Sequence, residues 1–400
     1  MKTILVVSYH FPPEEGSCSD KNIRIVKLLI EAGYRVVVLT KKGQWGNTMD
    51  NLLVIRSSHN GIFHKKQFIK GCTVKSATQS FNWKRKISNS IIPDAVIDWF
   101  PCVKKLFKSN YQLFEACDLI LSISSPYSAH IISAWLSKKL KIPFIMCYGD
   151  PWIYERKRKK GKIRYWIEKK IEGSLLKKSS RVLLITDWNK NKYREIYNIP
   201  ADKISTYHIG YDKNDMLHIV HERSNVISIV YGGSLDPVHR SPEPLLKAMA
   251  NISGIHVNIY SNDNPAVPIL ISQLGLFDKV SLNNLVSSSK FNKIMYENDA
   301  LLLFGNKTPY QVPGKVFTYI ATGKLIIYLK NNDSDADGTE QVLKEYNNAI
   351  ILKNEESEIE GMLLNLAEYL SKERDVYASS FEFHKTMYPI LESVKSILDE

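Results

Sequence analysis

One lysine and two threonines fall on a single face of the helix that the sequence predicts within residues 312–329, which read VPGKVFTYIATGKLIIYL. Lys315, Thr318 and Thr322 are three and four positions apart, so they share one side while apolar residues occupy the other. A helix start that carries a lysine attracts anions through its unpaired backbone N–H groups and through the ammonium group. The pattern therefore predicts a helix that binds phosphate.

Two short apolar runs flank this helix and predict the strands that position it. Residues 300–304 precede the helix, residues 325–329 follow it, and Pro313 and Gly314 mark its start. Such runs are typical of buried parallel strands joined by a crossover helix. A ligand bound there would lie at the carboxyl ends of the strands.

A second phosphate-binding pattern stands earlier in the chain. Gly232 and Gly233 follow a predicted buried strand, and Arg240 comes a few residues later. Backbone without side chains could approach a phosphate closely, and the arginine would supply a planar, permanent charge. Arg240 and Lys315 would then stabilise the charge that develops on a leaving diphosphate. The alternative is a surface arginine after a tight turn and a lysine that only caps a helix.

Length and composition predict two globular α/β domains. Four hundred residues exceed what one hydrophobic core usually covers, and 44% of them are hydrophobic. The five cysteines form no C-x-x-C pair, so neither a zinc site nor a disulfide framework is indicated. The apolar run at the amino terminus is too short for a signal peptide. These features predict a cytoplasmic protein.

The chain divides into two similar halves joined near Asp212, and the second half restarts at Val226. Strands alternate with helices in both halves, which predicts two doubly wound parallel sheets. We expect domains over residues 1–212 and 213–380, and a helix over residues 381–400 that packs back on the first domain. The other predicted strands are residues 3–7, 34–40, 119–123, 143–147, 181–185 and 256–260, and the other predicted helices are residues 21–32 and 129–140.

Six motifs follow one another in an order that resembles a known family. They are FPPEEG with Arg24 on the next helix, SSPYSAH, YGDPW, HIGYD, YGGSLDPVHRSPEPLLKAM and VPGKVFTYIATGK. The chain resembles GT-B sugar-nucleotide glycosyltransferases, in particular the retaining family-four enzymes that build bacterial surface polysaccharides. The resemblance implies two Rossmann-like domains facing a cleft, with the nucleotide diphosphate on the second domain and the acceptor on the first.

The resemblance also implies a set of functional residues. Related enzymes place two glutamates eight positions apart to hold the donor sugar and ribose, and here those positions are Tyr310 and Thr318. A threonine hydroxyl cannot grip two ribose hydroxyls as a carboxylate does. The expected catalytic residues are Asp150, Arg240 and Lys315. The expected donor-binding residues are Gly16, Ser17, Gly232, Gly233, Arg240, Val286, Tyr310, Gly314, Lys315 and Thr318.

Two expected residues of the first domain have alternative explanations. Gly16 lies with Ser17 in the loop after the first strand, where a missing side chain would let the donor diphosphate or the acceptor approach the backbone. An ordinary strand-to-helix loop explains Gly16 almost as well. Asp150 follows a predicted strand, where its carboxylate could orient or deprotonate an acceptor hydroxyl. It could equally cap the next turn, because aspartate before proline favours turns.

Residues 332–338, which read NDSDADG, mimic a calcium-binding loop. The twelfth position of that loop is Lys344, where calcium would require a bidentate glutamate. A solvated loop is the simpler interpretation. We therefore expect no metal site, no cofactor beyond the nucleotide-sugar substrate, and a metal-independent mechanism.

The positive charge is concentrated in one segment. The chain has 54 basic and 41 acidic residues, a net charge of +13, and residues 156–181 hold twelve basic and two acidic ones, a net of +10. Ile163, Trp166 and Leu175 belong to an apolar stripe within it, a pattern suited to an anionic bilayer. The alternative is a helix packed on the core with a solvated basic face. The residues expected at the acceptor or membrane are Lys157, Arg158, Lys159, Lys160 and Trp166.

These patterns predict a glycosyltransferase at the cytoplasmic face of the plasma membrane. It would move a hexose or N-acetylhexosamine from a nucleotide diphosphate, expected to be UDP, to a lipid-linked saccharide or a polysaccharide. A catalytically weak subunit that binds a glycan or a partner is the alternative that Thr318 suggests. A DNA-modifying glycosyltransferase is a third alternative, but no nucleic-acid motif accompanies the basic segment.

Overall fold

The computed structural model describes residues 1–14, 16–41, 49–59, 90–154, 161–217, 219, 224–236, 240–262, 264–372 and 376–399. The four predicted basic residues Lys157, Arg158, Lys159 and Lys160 lie outside the described residues. The chain separates into two compact units. The first unit consists of Met1–Tyr207 with Met387–Glu400, and the second unit is His208–Thr386.

In the described part of the first unit, seven parallel strands form one sheet in the order β3-β2-β1-β4-β5-β6-β7. The strands are β1 Thr3–Ser8, β2 Arg35–Thr40, β3 Leu52–Arg56, β4 Leu119–Ile123, β5 Phe144–Cys147, β6 Arg181–Leu184 and β7 Ile204–Thr206. The helices are α1 Ser17–Glu31, α2 Trp99–Ser109, α3 Tyr111–Glu115, α4 Ser128–Leu140, α5 Lys162–Lys178 and α6 Asp187–Tyr197. All six residues of β1 are buried, as expected for a central strand covered on both faces.

The described part of the second unit contains six parallel strands in the order β10-β9-β8-β11-β12-β13. The strands are β8 Ile227–Gly232, β9 Ile255–Ser261, β10 Val280–Asn284, β11 Ala300–Phe304, β12 Leu325–Lys330 and β13 Ala349–Lys353. The helices are α7 Glu243–Met249, α8 Ala266–Gln273, α9 Ser288–Tyr296, α10 Lys315–Ala321, α11 Gly338–Tyr346, α12 Glu356–Leu364, α13 Leu366–Ser371 and α14 Phe383–Thr386. The strand order reverses beside β8, and ligands of such sheets bind at the carboxyl ends of the strands at this point.

The last helix, α15, covers Tyr388–Leu398 and returns to the first unit, where it packs against α1 and β6. The sequence predicts one helical segment here, whereas the structure has α14 and α15 separated by Met387. Pro389 stands in the first turn of α15. A proline is tolerated there, but inside a continuous helix its ring would clash with the carbonyl of Lys385.

Candidate functional site

Lys315 brings a positive charge to the carboxyl end of the central strand β8. It is the first residue of α10, and its Nζ donates a hydrogen bond to the carbonyl oxygen of Gly232 at 2.5 Å. The same ammonium lies 5.0 Å from the centre of the Tyr231 ring. Gly232 is the last residue of β8. The predicted phosphate helix and the predicted glycine turn are therefore in direct contact.

Protein side chains fill the space beside both glycines of this turn. A Cβ atom added at Gly233 would lie 2.0 Å from the Nζ of Lys315, and the φ angle of Gly233 is +150°. A Cβ atom at Gly232 would lie 2.1 Å from the ring of Phe291, which reaches the strand from α9. Gly233 thus makes room for the lysine, and Gly232 makes room for an aromatic ring.

Arg240 is fixed beside this turn by neutral groups. Its Nη2 donates to Asn306 Oδ1 at 3.1 Å, and its Nη1 is 3.4 Å from Ser234 Oγ. Its backbone exchanges hydrogen bonds with Asp236, with N–O distances of 2.8 and 3.3 Å. Within the described part of the chain, the buried Nε has no hydrogen-bond partner. The guanidinium is therefore held in place and retains donor capacity.

The two cations influence each other and have no ion-pair partner among the described residues. Burial lowers the pKa of Lys315 to about 7, and the positive charge of Arg240 acts in the same direction. The charged form of the lysine is thus disfavoured without a ligand, since both desolvation and a like charge oppose it. An anion bound between the two groups would relieve this penalty. We call Gly233, Arg240, Asn306 and Lys315 the cationic cradle.

The other predicted donor-binding residues of the second unit lie on α10, in the segment before it, and at the edge of the core. Gly314 caps the start of α10, and Thr318 lies partly exposed one turn after Lys315. Tyr310 is partly buried, and Val286 packs at the edge of the core of the second unit.

Thr322 lies at the end of α10. The sequence predicts it on the ligand-facing side with Lys315 and Thr318, and in the structure it caps the helix with helical dihedral angles, φ −74° and ψ −17°. The hydroxyl of Thr322 donates to the carbonyl oxygen of Tyr319 at 2.7 Å. Gly323, with a φ angle of +70°, follows immediately. The left-handed glycine terminates the helix, and the hydroxyl of Thr322 is bonded to the backbone of the last turn.

The predicted residues of the first unit lie at the carboxyl edge of its own sheet. Gly16 caps α1 with a φ angle of +126°, and Ser17 is exposed. Asp150 follows β5 and is partly buried, and its charge raises the pKa of Tyr207, although burial is the larger cause of that rise. These residues belong to a different unit from the cationic cradle.

Lys21 is a charged residue near this edge that the sequence analysis missed. Its side chain is buried, and its Nζ donates to the carbonyl oxygen of Ser124 at 3.0 Å. A Cβ atom added at Gly149 would lie 2.9 Å from that Nζ. The sequence feature that could have indicated its burial is its position four residues before Ile25, on the apolar stripe of α1.

The buried face of helix α5 differs from the apolar stripe that the sequence predicts. Ile163 is 79% exposed and Trp166 is 56% exposed, whereas Leu175 is buried. Two carboxylates, those of Glu168 and Glu172, occupy the buried face. They are stabilised there because Arg164 pairs with Glu168 at 2.7 Å, and the hydroxyls of Tyr193 and Tyr197 donate to Glu172 at 2.8 and 2.7 Å. The stripe therefore packs on the core at one end and faces solvent at the other.

In the acidic loop at residues 332–338, the last aspartate stabilises the start of the next helix. Asp337 caps α11 by accepting hydrogen bonds from the backbone N–H groups of Thr339 and Glu340 at 2.8 and 3.1 Å. It also accepts from the hydroxyl of Tyr328 at 3.0 Å. Asp333 is a surface group whose side chain is 91% exposed. The described residues contain no group of three or more His, Cys, Asp or Glu side chains arranged to hold a metal.

None of the helices that the structure describes has both the length and the apolar composition needed to cross a membrane.

Solved structures with the GT-B fold match this chain over almost its whole length. Sucrose-phosphate synthase from Thermosynechococcus elongatus matches with a TM-score of 0.66 at 12% identity, covering 100% of both chains. HepE from Anabaena, solved with UDP and glucose, has a TM-score of 0.63 at 14% identity, covering 99% of this chain and 100% of that chain. The apo form of the lipopolysaccharide outer core galactosyltransferase WaaB has a TM-score of 0.61 at 11% identity, covering 99% of both.

No family model matches the sequence, and no curated protein is significantly similar to it. The structural matches nevertheless cover both units, and each unit has the parallel, doubly wound sheet that the sequence predicts. The chain therefore has the GT-B fold.

Proposed function

We propose that this protein is a glycosyltransferase that takes a sugar from a UDP-sugar and transfers it, with retention of the anomeric configuration, to a lipid-linked saccharide or a polysaccharide. One observation carries the proposal. Arg240 and Lys315 converge at the carboxyl edge of the second sheet, and no carboxylate of the described residues pairs with either. HepE, which shares this fold, was solved with UDP.

In this mechanism the two cations bind the diphosphate of the donor. As the bond between the sugar and the diphosphate breaks, negative charge accumulates on the leaving diphosphate. Arg240 and Lys315 stabilise that charge more strongly than the charge of the bound substrate, which lowers the barrier. Asp150 is assigned to orient or deprotonate the acceptor hydroxyl. The two fixed cations supply the electrostatic role that a divalent metal serves elsewhere, so the reaction is proposed to be metal-independent.

The proposed acceptor is supported by the exposed end of α5. Ile163 and Trp166 face solvent, and the Nζ of Lys170 lies 3.7 Å from the centre of the Trp166 ring. Lys162 and Lys170 are exposed on the same helix. Apolar side chains surrounded by basic ones suit the surface of an anionic bilayer. This segment would hold the enzyme at the cytoplasmic face of the membrane, where lipid-linked acceptors are found.

A nucleotide-sugar screen tests the donor assignment. UDP and UDP-sugars should raise the unfolding temperature of the wild-type protein, because a ligand that binds only the folded state stabilises it. Calorimetry should then show that Lys315→Ala and Arg240→Ala weaken UDP binding. Lys344→Ala is a matched control, since its side chain is 66% exposed and pairs only with Glu340 in the described chain. UDP binding that is equal in all four proteins would exclude the cationic cradle as the donor site.

Sedimentation with anionic vesicles tests the membrane assignment. A first variant changes Ile163 and Trp166 to serine. A second replaces the basic cluster Lys157, Arg158, Lys159 and Lys160 with glutamine. The control replaces the exposed lysines of another helix end, Lys138, Lys139 and Lys141, with glutamine.

Both test variants should sediment less than the wild type and the control, and wild-type binding should fall as salt rises. A wild-type protein that ignores anionic vesicles at low salt would refute the membrane assignment while leaving the donor site untouched.

A binding subunit without efficient turnover is the second candidate, and Thr318 favours it. Thr318 lies on α10 one turn after Lys315, where a carboxylate would grip ribose hydroxyls more strongly. Turnover of any nucleotide sugar separates the candidates. A subunit that binds UDP but releases no UDP from UDP-sugars in the presence of a lipid extract would fit the second candidate.

A further inference from the structure

A second concave feature of the second unit lies next to the cationic cradle. A pocket of about 390 Å³ is formed between the carboxyl ends of β9 and β10 and the start of α8. Leu235, two positions after Gly233, contributes to its wall. The pocket and the cationic cradle therefore share one loop. Pockets of this size accommodate small organic ligands.

The polar groups of the pocket are neutral amides. Asn262 Oδ1 accepts hydrogen bonds from the backbone N–H of Leu235 and from Ser261 Oγ, both at 3.1 Å. Asn264 Oδ1 accepts from the backbone N–H of Ala266 at 3.2 Å. Because both oxygens are engaged, the NH₂ groups of Asn262 and Asn264 are the parts left to bind a ligand.

Two further asparagines line the same pocket from β10. Asn283 is partly buried and Asn284 is exposed. Neither side chain has a hydrogen-bond partner among the described residues. Each amide can therefore both donate and accept. A ligand with several hydroxyl groups matches this mixture of donors and acceptors.

The pocket does not suit an anion. Among the described residues, no lysine or arginine lines it, and the first turn of α8 contains Pro268, which has no N–H group. The N–H groups of Ala266 and Val267 are already bonded to Asn264, at 3.2 and 3.1 Å. Leu235 and Leu282 supply apolar surface instead. Amides combined with aliphatic side chains bind rings that carry hydroxyl groups on an apolar carbon frame.

We propose that this pocket binds a sugar ring through the amides of Asn283 and Asn284. The ring has two possible sources with the same chemistry: the ribose of a bound nucleotide, or a sugar unit of a separate saccharide. The ribose source rests on the proposed function, since it requires a nucleotide in the cationic cradle. The saccharide source does not depend on it.

Four probes distinguish these sources by calorimetry: inorganic pyrophosphate, UDP, ribose 5-phosphate, and a set of neutral disaccharides comprising maltose, lactose and N,N′-diacetylchitobiose. They are compared in the wild type, Asn283→Ala and Asn284→Ala. Asn251→Ala is the control, because Asn251 is an exposed asparagine near the amino end of β9, at the opposite edge of the sheet. Equal unfolding temperatures verify that each variant is folded.

Loss of one amide should weaken sugar binding about three- to tenfold and leave pyrophosphate binding unchanged. Weaker UDP binding in both β10 variants, matched by weaker binding of ribose 5-phosphate, identifies the ribose as the occupant, whereas weaker UDP binding without that match assigns the amides to the uracil and overturns the ribose source. Weaker binding of a disaccharide by these two variants identifies a sugar unit of a separate saccharide as the occupant. If neither UDP nor any disaccharide is affected, the pocket proposal is overturned. If wild-type protein fails to bind pyrophosphate, the cationic cradle fails, and the disaccharides alone decide the pocket.

Discussion

The two units each hold a lysine ammonium against a glycine and a backbone carbonyl, but the two lysines have different surroundings. In the first unit, Lys21 is 3% exposed and bonds to the carbonyl of Ser124. In the second unit, Lys315 is partly exposed and stands beside a second cation, Arg240. An enclosed single charge can support the fold, whereas an accessible pair of like charges favours an anion. The comparison separates an enclosed lysine from a lysine that stands beside a second cation and is open to a ligand.

The neighbours of the two lysines show the same difference. The charge of Lys21 acts on His130, and together with burial, which is the larger cause, it lowers the pKa of that histidine to about 3. His130 therefore stays neutral inside the first unit. Lys315 instead has its own pKa lowered, because Arg240 adds to the effect of burial. Lys315 is therefore near its titration point at neutral pH.

The largest effect is expected from removing the charges of the cationic cradle. Lys315→Ala and Arg240→Ala should each reduce kcat/KM for sugar transfer by roughly 30- to 1,000-fold, which corresponds to roughly 2 to 4 kcal/mol of transition-state stabilisation. Steady-state kinetics with the donor found in the screen measures this. Lys344→Ala should retain wild-type activity. Near-normal kcat/KM in both test variants would remove the distinction between the two lysines.

A pair of glycine substitutions should separate activity from stability. In Gly233→Ala the new methyl group would meet the Nζ of Lys315 2.0 Å away and displace it, so UDP binding should fall at least tenfold. In Gly149→Ala it would lie 2.9 Å from Lys21 and 3.0 Å from the carbonyl oxygen of Ser124. That variant should lose about 1 to 3 kcal/mol of unfolding free energy.

Chemical denaturation and calorimetry on both variants provide the measurement. UDP affinity should be unchanged in Gly149→Ala once the protein is folded. The opposite pattern, with Gly149→Ala losing UDP binding and Gly233→Ala keeping it, would reverse the roles of the two lysines.

The pH dependence of UDP binding should reveal the lowered pKa of Lys315. The lysine is charged below about pH 7 and neutral above it, and only its charged form attracts the diphosphate. The Kd should therefore rise above pH 7, by up to about tenfold per pH unit. Lys315→Arg corrects for the titration of UDP itself, because a guanidinium stays charged throughout. A wild-type profile identical to that of Lys315→Arg would show that Lys315 does not titrate in this range.

The smallest effect is expected from metal removal. If Arg240 and Lys315 neutralise the leaving diphosphate, excess chelator should leave the transfer rate unchanged within about twofold. The assay compares the rates with chelator, without it, and after magnesium or manganese is added back. A rate that vanishes with chelator and returns with either metal would show that the two cations are insufficient.

The sequence predicted the central strands of both sheets but missed the edges. The predictions at residues 119–123 and 300–304 are confirmed, and every residue of β4 and β11 is buried. The missed strands β3, β7, β10 and β13 are the outer strands of the described sheets, and most of their residues are partly exposed. A strand covered on both faces leaves a continuous apolar run, whereas an edge strand has a mixed pattern that resembles a loop.

Contacts within the candidate site were predictable where residue type and chain position agreed. Lys315 and Gly233 stand beside predicted strand ends, and the structure brings them into contact. Asn306 and Phe291 were missed, because an asparagine after a strand and a phenylalanine on a helix are common features without a chemical signature. Their roles arise from contacts with Arg240 and Gly232, which are distant in sequence. Spatial partners of this kind are not encoded in local patterns.

The return of α15 to the first unit has a consequence for synthesis on the ribosome. Ile390 and Val394 fill the core side of α15, which packs on α1 and β6. All of His208–Thr386 is translated between the bulk of the first unit and this helix. While the second unit is being made, the nascent first unit therefore exposes the apolar surface that α15 will later cover. All residues of the second unit are thus synthesised before the first unit has its last helix, and the core of the first unit is completed last.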